Sequence, residues 1–299
     1  MELRLLQYFL AVAREENITR AAESLHLTQP TLSRQLAQLE KELGTALFNR
    51  AQRRITLTAQ GVLFRRRAQE ILDLVEKSEQ EMTQQEEHVT GSISIGCGEL
   101  FGVQLLADAI VEFRKIYPEV TFVMNAGDAE QTDMRMEMGL LDLAIFLEPM
   151  DLSKYQYVRL GQTEQWCVML AAEDPLAQKK TVQPSDFKDR EYFLPYRERA
   201  QREIINWLGK NYKTSQEIGR SNLSTNVSVL VRKGIGCAFI VEGSKPYLDK
   251  NELALRSLWP ELHATTVLAW KQHQPFSLAT TKFLEFVQEY FANNKKLKQ

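Results

Sequence analysis

Uncharged hydrogen-bonding side chains cluster between Thr28 and Gln38, and a single arginine, Arg34, lies among them. Amide, hydroxyl and guanidinium groups in this mixture can pair with base edges and phosphates in the major groove of DNA. The candidate contact residues of this segment are Thr28, Gln29, Pro30, Thr31, Ser33, Arg34, Gln35 and Gln38. The alternative is an ordinary amphipathic helix whose polar face is only solvated.

Two predicted helices joined by a tight turn must position these side chains. The longer helix is indicated by leucines at steps of four, three and four residues: Leu32, Leu36, Leu39 and Leu43. Thr28 is its predicted N-cap, Pro30 is tolerated in its first turn, and Gly44 closes it. A shorter helix precedes it, with Thr19 as predicted N-cap and the small pair Ala21-Ala22 allowing a close crossing. This short helix, turn and longer helix form the unit that fits DNA.

An arginine-rich segment follows the longer helix. Arg50, Arg53 and Arg54 precede the alternating apolar residues Ile55 and Leu57, a pattern typical of a small hairpin or wing. Such arginines can reach phosphates or a minor groove, although they could also serve solubility alone. The first 58 residues are therefore predicted to form an all-α winged helix-turn-helix.

The charge of the chain is divided unevenly between its two parts. Residues 1–67 carry ten Arg and one Lys against six Glu, a net charge of +5, whereas the other 232 residues carry −7. A basic amino-terminal module on an acidic body suits a protein that binds a polyanion, although a solvated basic face would look the same.

Beyond residue 91 the pattern changes to alternating strands and helices. Strands are predicted at 92–96, 120–125 and 143–146, with helices at 105–116 and 131–139 between them. The alternation resumes with strands at 166–171, 192–195, 216–220, 236–241 and 266–270 and helices at 203–211, 225–233 and 278–291. This order predicts an α/β body of two similar lobes, each with a parallel sheet flanked by helices and joined by crossing strands.

Ligands of such sheets bind in the crevice at the carboxyl ends of the strands. The loops at those ends supply the candidate effector-binding residues Cys97, Gly98, Glu99, Leu100, Phe101, Asn125, Gly127, Pro195, Tyr196, Ser224 and Thr225. Ser224 and Thr225 lie at a predicted helix N-terminus, which favours an anionic ligand, although such residues are commonly only caps. Glu99 argues against a simple dicarboxylate, or for an effector that carries an amine.

The amino-terminal segment resembles the LysR-type transcriptional regulators. The resemblance is carried, in order, by Ala21-Ala22, Leu25 to Leu36, Leu39 to Gly44, Leu47 to Arg50, Leu57-Thr58 and Gly61. It covers residues 1 to about 65 densely, and the length of 299 residues also suits the family. One departure is Ala59-Gln60 before Gly61, where the family more often has an acidic residue or Pro and then Ala.

The resemblance implies a domain organisation and a function. It implies a DNA-binding domain at 1–58, a linker helix with a hinge at 59–90, and a periplasmic-binding-protein-like effector domain at 91–299. Lobe I would comprise 91–162 and 267–299, and lobe II 163–266. The implied function is a sequence-specific, double-stranded DNA-binding transcriptional regulator whose activity a small-molecule effector modulates.

An apolar stripe along the predicted linker helix needs a partner. It includes Leu63, Ile71 and Val75, and the alternative is a long helix packed on its own body. The resemblance implies antiparallel pairing of this helix in a homodimer, and a homotetramer built from such dimers.

Other classes of protein find less support in the sequence. We expect a cytoplasmic protein without membrane span, metal or cofactor, because no stretch approaches 20 apolar residues and no secretion signal or CxxC pair is present. A nicotinamide-binding enzyme is one alternative, since glycines at 96, 98 and 102 follow a predicted strand, but that spacing is a weak signal. A thiol redox sensor using Cys167 and Cys237 is the other, although nothing basic flanks either cysteine. The sequence favours a regulator over an enzyme.

Overall fold

The computed structural model describes residues 1–49, 55–82 and 89–296. Contacts divide the chain into two compact units, residues 1–83 and 84–299. The predicted end of the linker helix and part of the predicted hinge, residues 83–88, lie outside the described residues.

The first unit is a small helical module with a two-stranded ribbon. Its elements are α1 (Leu3–Glu15), α2 (Ile18–Ser24), α3 (Gln29–Leu43), β1 (Phe48–Asn49), β2 (Thr56–Leu57) and α4 (Ala59–Met82). Phe9 of α1 packs between Phe48 and Phe64, with ring centroids 5.1 and 4.9 Å away. Ala21 and Ala22 are buried where α2 meets its neighbours, as their small size predicts.

The caps of α2 and α3 differ in part from the prediction. Thr19 is not the N-cap of α2; Asn17 is, because its side-chain oxygen accepts the backbone N–H of Thr19 at 2.9 Å and of Arg20 at 3.1 Å. Thr28 does occupy the N-cap of α3, yet its side chain makes no capping bond. Gly44 closes α3 with a φ of 67°, a left-handed conformation that glycine adopts without strain.

Lobe I of the second unit begins with three parallel strands in the order β4-β3-β5. Its elements are β3 (Gly91–Cys97), α5 (Phe101–Ile116), β4 (Val120–Ala126), α6 (Ala129–Glu137) and β5 (Leu143–Leu147), with α9 (Leu278–Lys296) added at the end of the chain. Phe113 fills the core of this lobe against Phe122 and Phe283. The predicted β-α-β-α-β order is confirmed.

Two long antiparallel strands connect the lobes. They are β6 (Tyr155–Ala171) and β12 (His263–Lys271), and their pairing shifts register between Thr265 and Val267. β6 begins eleven residues before the predicted start at 166. The sequence did not indicate this first half as a strand, because it carries scattered polar residues and no apolar run. The lobe boundaries predicted at 162/163 and 266/267 fall inside these two strands and stay predictions.

Lobe II continues the sheet on the other half of β6. Its elements are β7 (Thr181–Val182), β8 (Tyr192–Pro195), α7 (Glu198–Leu208), β9 (Glu217–Ser221), α8 (Ser224–Arg232), β10 (Cys237–Val241) and β11 (Leu253–Leu258). The strand order is β7-β11-β6-β10-β8-β9, with Phe187, Tyr192 and Phe239 in its core. The sequence did not predict β7 and β11. α7 begins five residues before its predicted start, and this first turn gave no helical signal because it is charged and exposed.

Candidate DNA-binding and effector-binding sites

α3 divides its side chains between the core and solvent. Leu32, Leu36 and Leu39 are buried in the hydrophobic core of the first unit. The predicted DNA-contacting residues of this segment lie on or beside its other faces: Thr28, Gln29, Pro30, Arg34 and Gln38 are exposed, and Thr31, Ser33 and Gln35 are half-buried. The predicted separation of an apolar stripe from a polar face is therefore present.

Arg34 is an available cation of this face. Among the described residues, no carboxylate lies within 4 Å of its guanidinium and no hydrogen bond engages it. Gln38, by contrast, donates its amide to Glu42 at 3.0 Å, and the hydroxyls of Thr28 and Thr31 lie 2.8 Å apart. A guanidinium without a protein partner can contact a base edge or a phosphate at no cost in broken ion pairs.

Glu40 fixes the position of α3, and sequence reasoning missed it. Its Oε1 accepts the backbone N–H of Leu47 at 2.8 Å and of Phe48 at 3.1 Å, which joins α3 to β1. The available signal in the sequence was an acidic residue directly after Leu39 of the apolar stripe. Arg50, Arg53 and Arg54 lie outside the described residues, and Ile55, which follows them, donates its N–H to Glu16 O at 3.2 Å.

A cavity of about 150 Å³ lies in the second unit, lined by both lobes. Seven predicted residues line it: Gly98, Glu99, Leu100, Gly127, Pro195, Tyr196 and Ser224. Its walls are mainly apolar and include Phe146, Leu147, Trp166, Phe193 and Phe239. This volume is on the scale of one small aromatic ring.

Four predicted residues lie outside the lining of the cavity. Cys97 is buried at the end of β3, and Phe101 begins α5. Asn125 lies within β4, where its side chain accepts from Arg135 at 3.2 Å. Thr225 directs its hydroxyl to Glu99. Their role in effector binding stays a prediction.

The acidic side chain of Glu99 meets the N-terminus of α8. Its Oε2 accepts the backbone N–H of Ser224 at 2.7 Å and of Thr225 at 3.2 Å, and its Oε1 accepts the Thr225 hydroxyl at 2.5 Å. The helix end that was expected to attract an anionic ligand thus already binds an anion of this chain.

Two further contacts cross between the lobes. Asp128, the N-cap of α6, accepts the side-chain amide of Asn222 at 3.1 Å. Arg197 at the start of α7 donates to Leu147 O at 2.9 Å. These contacts and those of Glu99 hold the lobes together around the cavity.

Arg197 supplies the positive charge of the cavity wall, and it is not among the effector-binding residues predicted from the sequence. Among the described residues it is the one Lys, Arg or His side chain in the lining, and no carboxylate lies within 4 Å of it. Burial lowers the pKa of Arg197, while Glu203 acts in the opposite direction. The available signal was an arginine two residues after a predicted buried strand.

Glu164 is a second residue near the cavity that the sequence did not predict. It is only 1 % exposed, lies in β6, and accepts the backbone N–H groups of Phe101 and, at 3.0 Å, Gly243. Burial raises the pKa of Glu164, and these hydrogen bonds act against the rise. Its carboxyl group fixes the loop that carries Glu99.

The three thiols are all buried. Burial raises the pKa of Cys97, of Cys167 and of Cys237, the last to about 12. A raised pKa keeps a thiol protonated and unreactive, which disfavours the redox-sensor alternative.

Two other kinds of site are absent from the part of the chain that the structure describes. No group of three His, Cys, Asp or Glu side chains there could hold a metal ion. No described helix combines the length and the apolar character needed to cross a membrane.

A helix-turn-helix with an exposed polar face, joined to a two-lobed α/β unit with a cavity, defines a DNA-binding regulator with an effector domain. The model of bacterial regulatory helix-turn-helix proteins of the lysR family matches residues 3–62, and the LysR substrate binding domain matches residues 86–292. The chain belongs to the LysR family of transcriptional regulators.

Known proteins resemble the chain over nearly its whole length. The Hca operon transcriptional activator HcaR of Escherichia coli (strain K12) is 28% identical over 306 residues, 98% of this chain and 99% of that protein. The uncharacterized HTH-type regulator YybE of Bacillus subtilis (strain 168) is 27% identical over 294 residues, 98% and 100%. The crystal structure of CbnR, a LysR family transcriptional regulator, matches with a TM-score of 0.74 at 21% identity, covering 97% of this chain and 99% of that one.

Proposed function

We propose that α3 enters the major groove of an operator, that the cavity between the lobes binds a small effector, and that the chain regulates transcription without catalysing a reaction. The observation that carries the DNA-binding part is the exposed Arg34, which has no ion pair or hydrogen bond among the described residues, on a helix that Glu40 holds in place. A full-length CbnR is known in complex with its target DNA. Its match to this chain has a TM-score of 0.71 over 97% of the chain, at 20% identity.

A selection from random DNA tests the role of α3. The full-length chain should enrich one sequence motif, and Arg34→Ala should relax that motif and weaken binding by about 1–3 kcal/mol. Arg53→Ala should instead weaken binding to all sequences alike and lower the slope of log affinity against log salt by about one. Arg114→Ala, which removes one positive charge from α5, is the matched control. Equal selectivity of Arg34→Ala and wild type would contradict the assignment.

The effector part rests on the cavity and on Arg197. An apolar cavity with one cation suits a small compound that has an apolar body and one polar group. A melting screen of metabolites on the full chain should find a compound that stabilises wild type by mass action and stabilises Arg197→Ala less. A compound that stabilises both proteins equally would place its site elsewhere.

A homodimer through α4 is supported by exposed apolar residues on that helix. Leu63, Ile71 and Leu74 are 57 %, 37 % and 43 % exposed. Phe64, Ala68 and Leu72, on another side of α4, pack into the core of the first unit. An apolar face on a helix of this length is typical of helix pairing. We propose an antiparallel dimer, further assembly to a tetramer, and action in the cytoplasm, where the DNA is.

A further inference from the structure

The start of α8 has no acceptor of its own. Its N-cap is Leu223, whose side chain accepts no hydrogen bond, and the Ser224 hydroxyl lies 2.7 Å from that of Ser244. The first backbone N–H groups of a helix need an acceptor, and the helix dipole makes a negative one favourable. The donors here, from Ser224 and Thr225, converge on the carboxylate of Glu99.

Glu99 differs from an ordinary cap in its origin. It precedes Ser224 by 125 residues and belongs to lobe I, whereas α8 belongs to lobe II. Both oxygens are used, since Oε2 accepts two backbone N–H groups and Oε1 accepts the Thr225 hydroxyl. A free carboxylate bound to a helix N-terminus would make the same set of bonds.

The loop that carries Glu99 is held independently of its carboxylate. The Ser244 hydroxyl donates to the backbone oxygen of Glu99 at 3.3 Å, and the Phe101 N–H donates to Glu164. Gly243 approaches so closely that a Cβ there would collide with the Phe101 nitrogen. Removal of the Glu99 carboxylate should therefore leave the loop in place and the backbone N–H donors of α8 free to bind another anion.

We propose that Glu99 is a built-in ligand that occupies the anion position at the start of α8 and thereby determines effector specificity. An acidic effector cannot use this position, because two carboxylates would compete for the same donors and repel each other. The acidic group of such an effector would have to contact Arg197 instead. That the Glu99 carboxylate occupies the N-terminus of α8 follows from the geometry alone. Only its effect on effector specificity rests on the proposed function.

Acetate is the probe, because Glu99→Ala removes a group that differs from acetate by one hydrogen. All four tryptophans, Trp166, Trp207, Trp259 and Trp270, lie in the second unit, so their fluorescence follows its melting. The full-length chain is melted in sodium acetate and in sodium chloride at equal ionic strength. Glu99→Ala should melt below wild type, and acetate should raise its Tm by about 2–5 °C more than chloride does.

Wild type and Glu119→Ala, an exposed control before β4, should show no such difference between the two salts. An equal response of Glu99→Ala and wild type to acetate would overturn the proposal. If Glu99→Ala does not fold, Glu99→Gln decides: it keeps the shape without the charge and should melt below Glu119→Gln. Identical melting of those two proteins would overturn it as well. The measurement uses neither DNA nor an effector, so a failure of the proposed function would leave its outcome unaffected.

Discussion

Glu40 of α3 accepts the backbone N–H of Leu47 at 2.8 Å, and this bond fixes the angle at which the chain leaves the helix. Glu40→Ala would leave that N–H and the N–H of Phe48 without this acceptor. We expect a loss of about 1–3 kcal/mol in the free energy of unfolding of the first unit, together with weaker DNA binding. Urea unfolding followed by circular dichroism, and DNA titration, measure the two effects.

Glu42→Ala is the matched control for Glu40, because Glu42 lies on the same helix but is exposed, and its partners among the described residues are Gln38 and the N-terminus. Its unfolding transition should coincide with that of wild type. Equal transitions for Glu40→Ala and Glu42→Ala would show that the Leu47 bond contributes nothing.

Gly61 should not tolerate alanine, although it lies in a helix. Glycine to alanine inside a helix ordinarily gains roughly 0.5–1 kcal/mol. Here the added Cβ would collide with the backbone oxygen of Leu47, so we expect a loss of about 1–3 kcal/mol. Gly44→Ala separates backbone strain from this collision: Gly44 has a φ of +67°, but a Cβ added there would meet no atom within 4 Å. A stabilised Gly61→Ala, measured by urea unfolding, would contradict the contact.

Leu74→Lys should weaken the proposed dimer. It places a charge on the exposed apolar face of α4, where burial without a partner is costly. Sedimentation should show a dissociation constant at least tenfold higher than that of wild type. Gln69→Lys adds the same charge on another face of the helix and should leave association unchanged. Equal association of Leu74→Lys and wild type would exclude this face from the interface.

Glu164 should make the second unit less stable as pH rises. Burial raises its pKa in the folded chain above the ordinary value of 4.5. Between those two values the folded chain binds more protons than the unfolded chain, so the contribution is present at low pH and is lost as pH rises. The free energy of unfolding of wild type minus that of Glu164→Gln should therefore fall as pH rises above 4.5. Tryptophan-monitored urea unfolding measures it, and a rising difference would mean that the native site favours the charged form.

The buried thiols should be unreactive in the folded chain. Because burial raises the pKa of Cys237 to about 12, and raises those of Cys97 and Cys167 too, little thiolate exists at pH 8. Iodoacetamide should label the three cysteines in urea and only slowly without it, and mild peroxide should leave DNA affinity unchanged. Rapid labelling of native protein, or a peroxide-dependent affinity, would revive the redox alternative.

Local signals made the first unit predictable. The spacing of Leu32, Leu36 and Leu39 and the punctuation by Pro30 and Gly44 locate α3 within a residue, because these preferences act within one or two helical turns. The cap of α2 was misplaced since both Asn17 and Thr19 are good caps, and only the tertiary position of the helix decides between them.

Long-range pairing limited the prediction of the second unit. The first half of β6 is a strand because β12 pairs with it, and its own composition does not require that state. The effector loops were located from strand ends, which brought seven predicted residues to the cavity. That Glu99 would bind α8 could not be predicted, because the two segments are 125 residues apart in the chain.

The register shift in the connecting strands has a mechanical consequence. Gly161, with a φ of +85°, lies in β6 opposite the shift between Thr265 and Val267 of β12. Because β6 and β12 are hydrogen-bonded to each other on both sides of this point, neither can bend alone. Widening the gap between the lobes thus requires a coupled flexure of both strands, and the interrupted ladder is where such bending costs least. Effectors that differ only in size would then open the gap between the lobes to different extents through the same bending of β6 and β12.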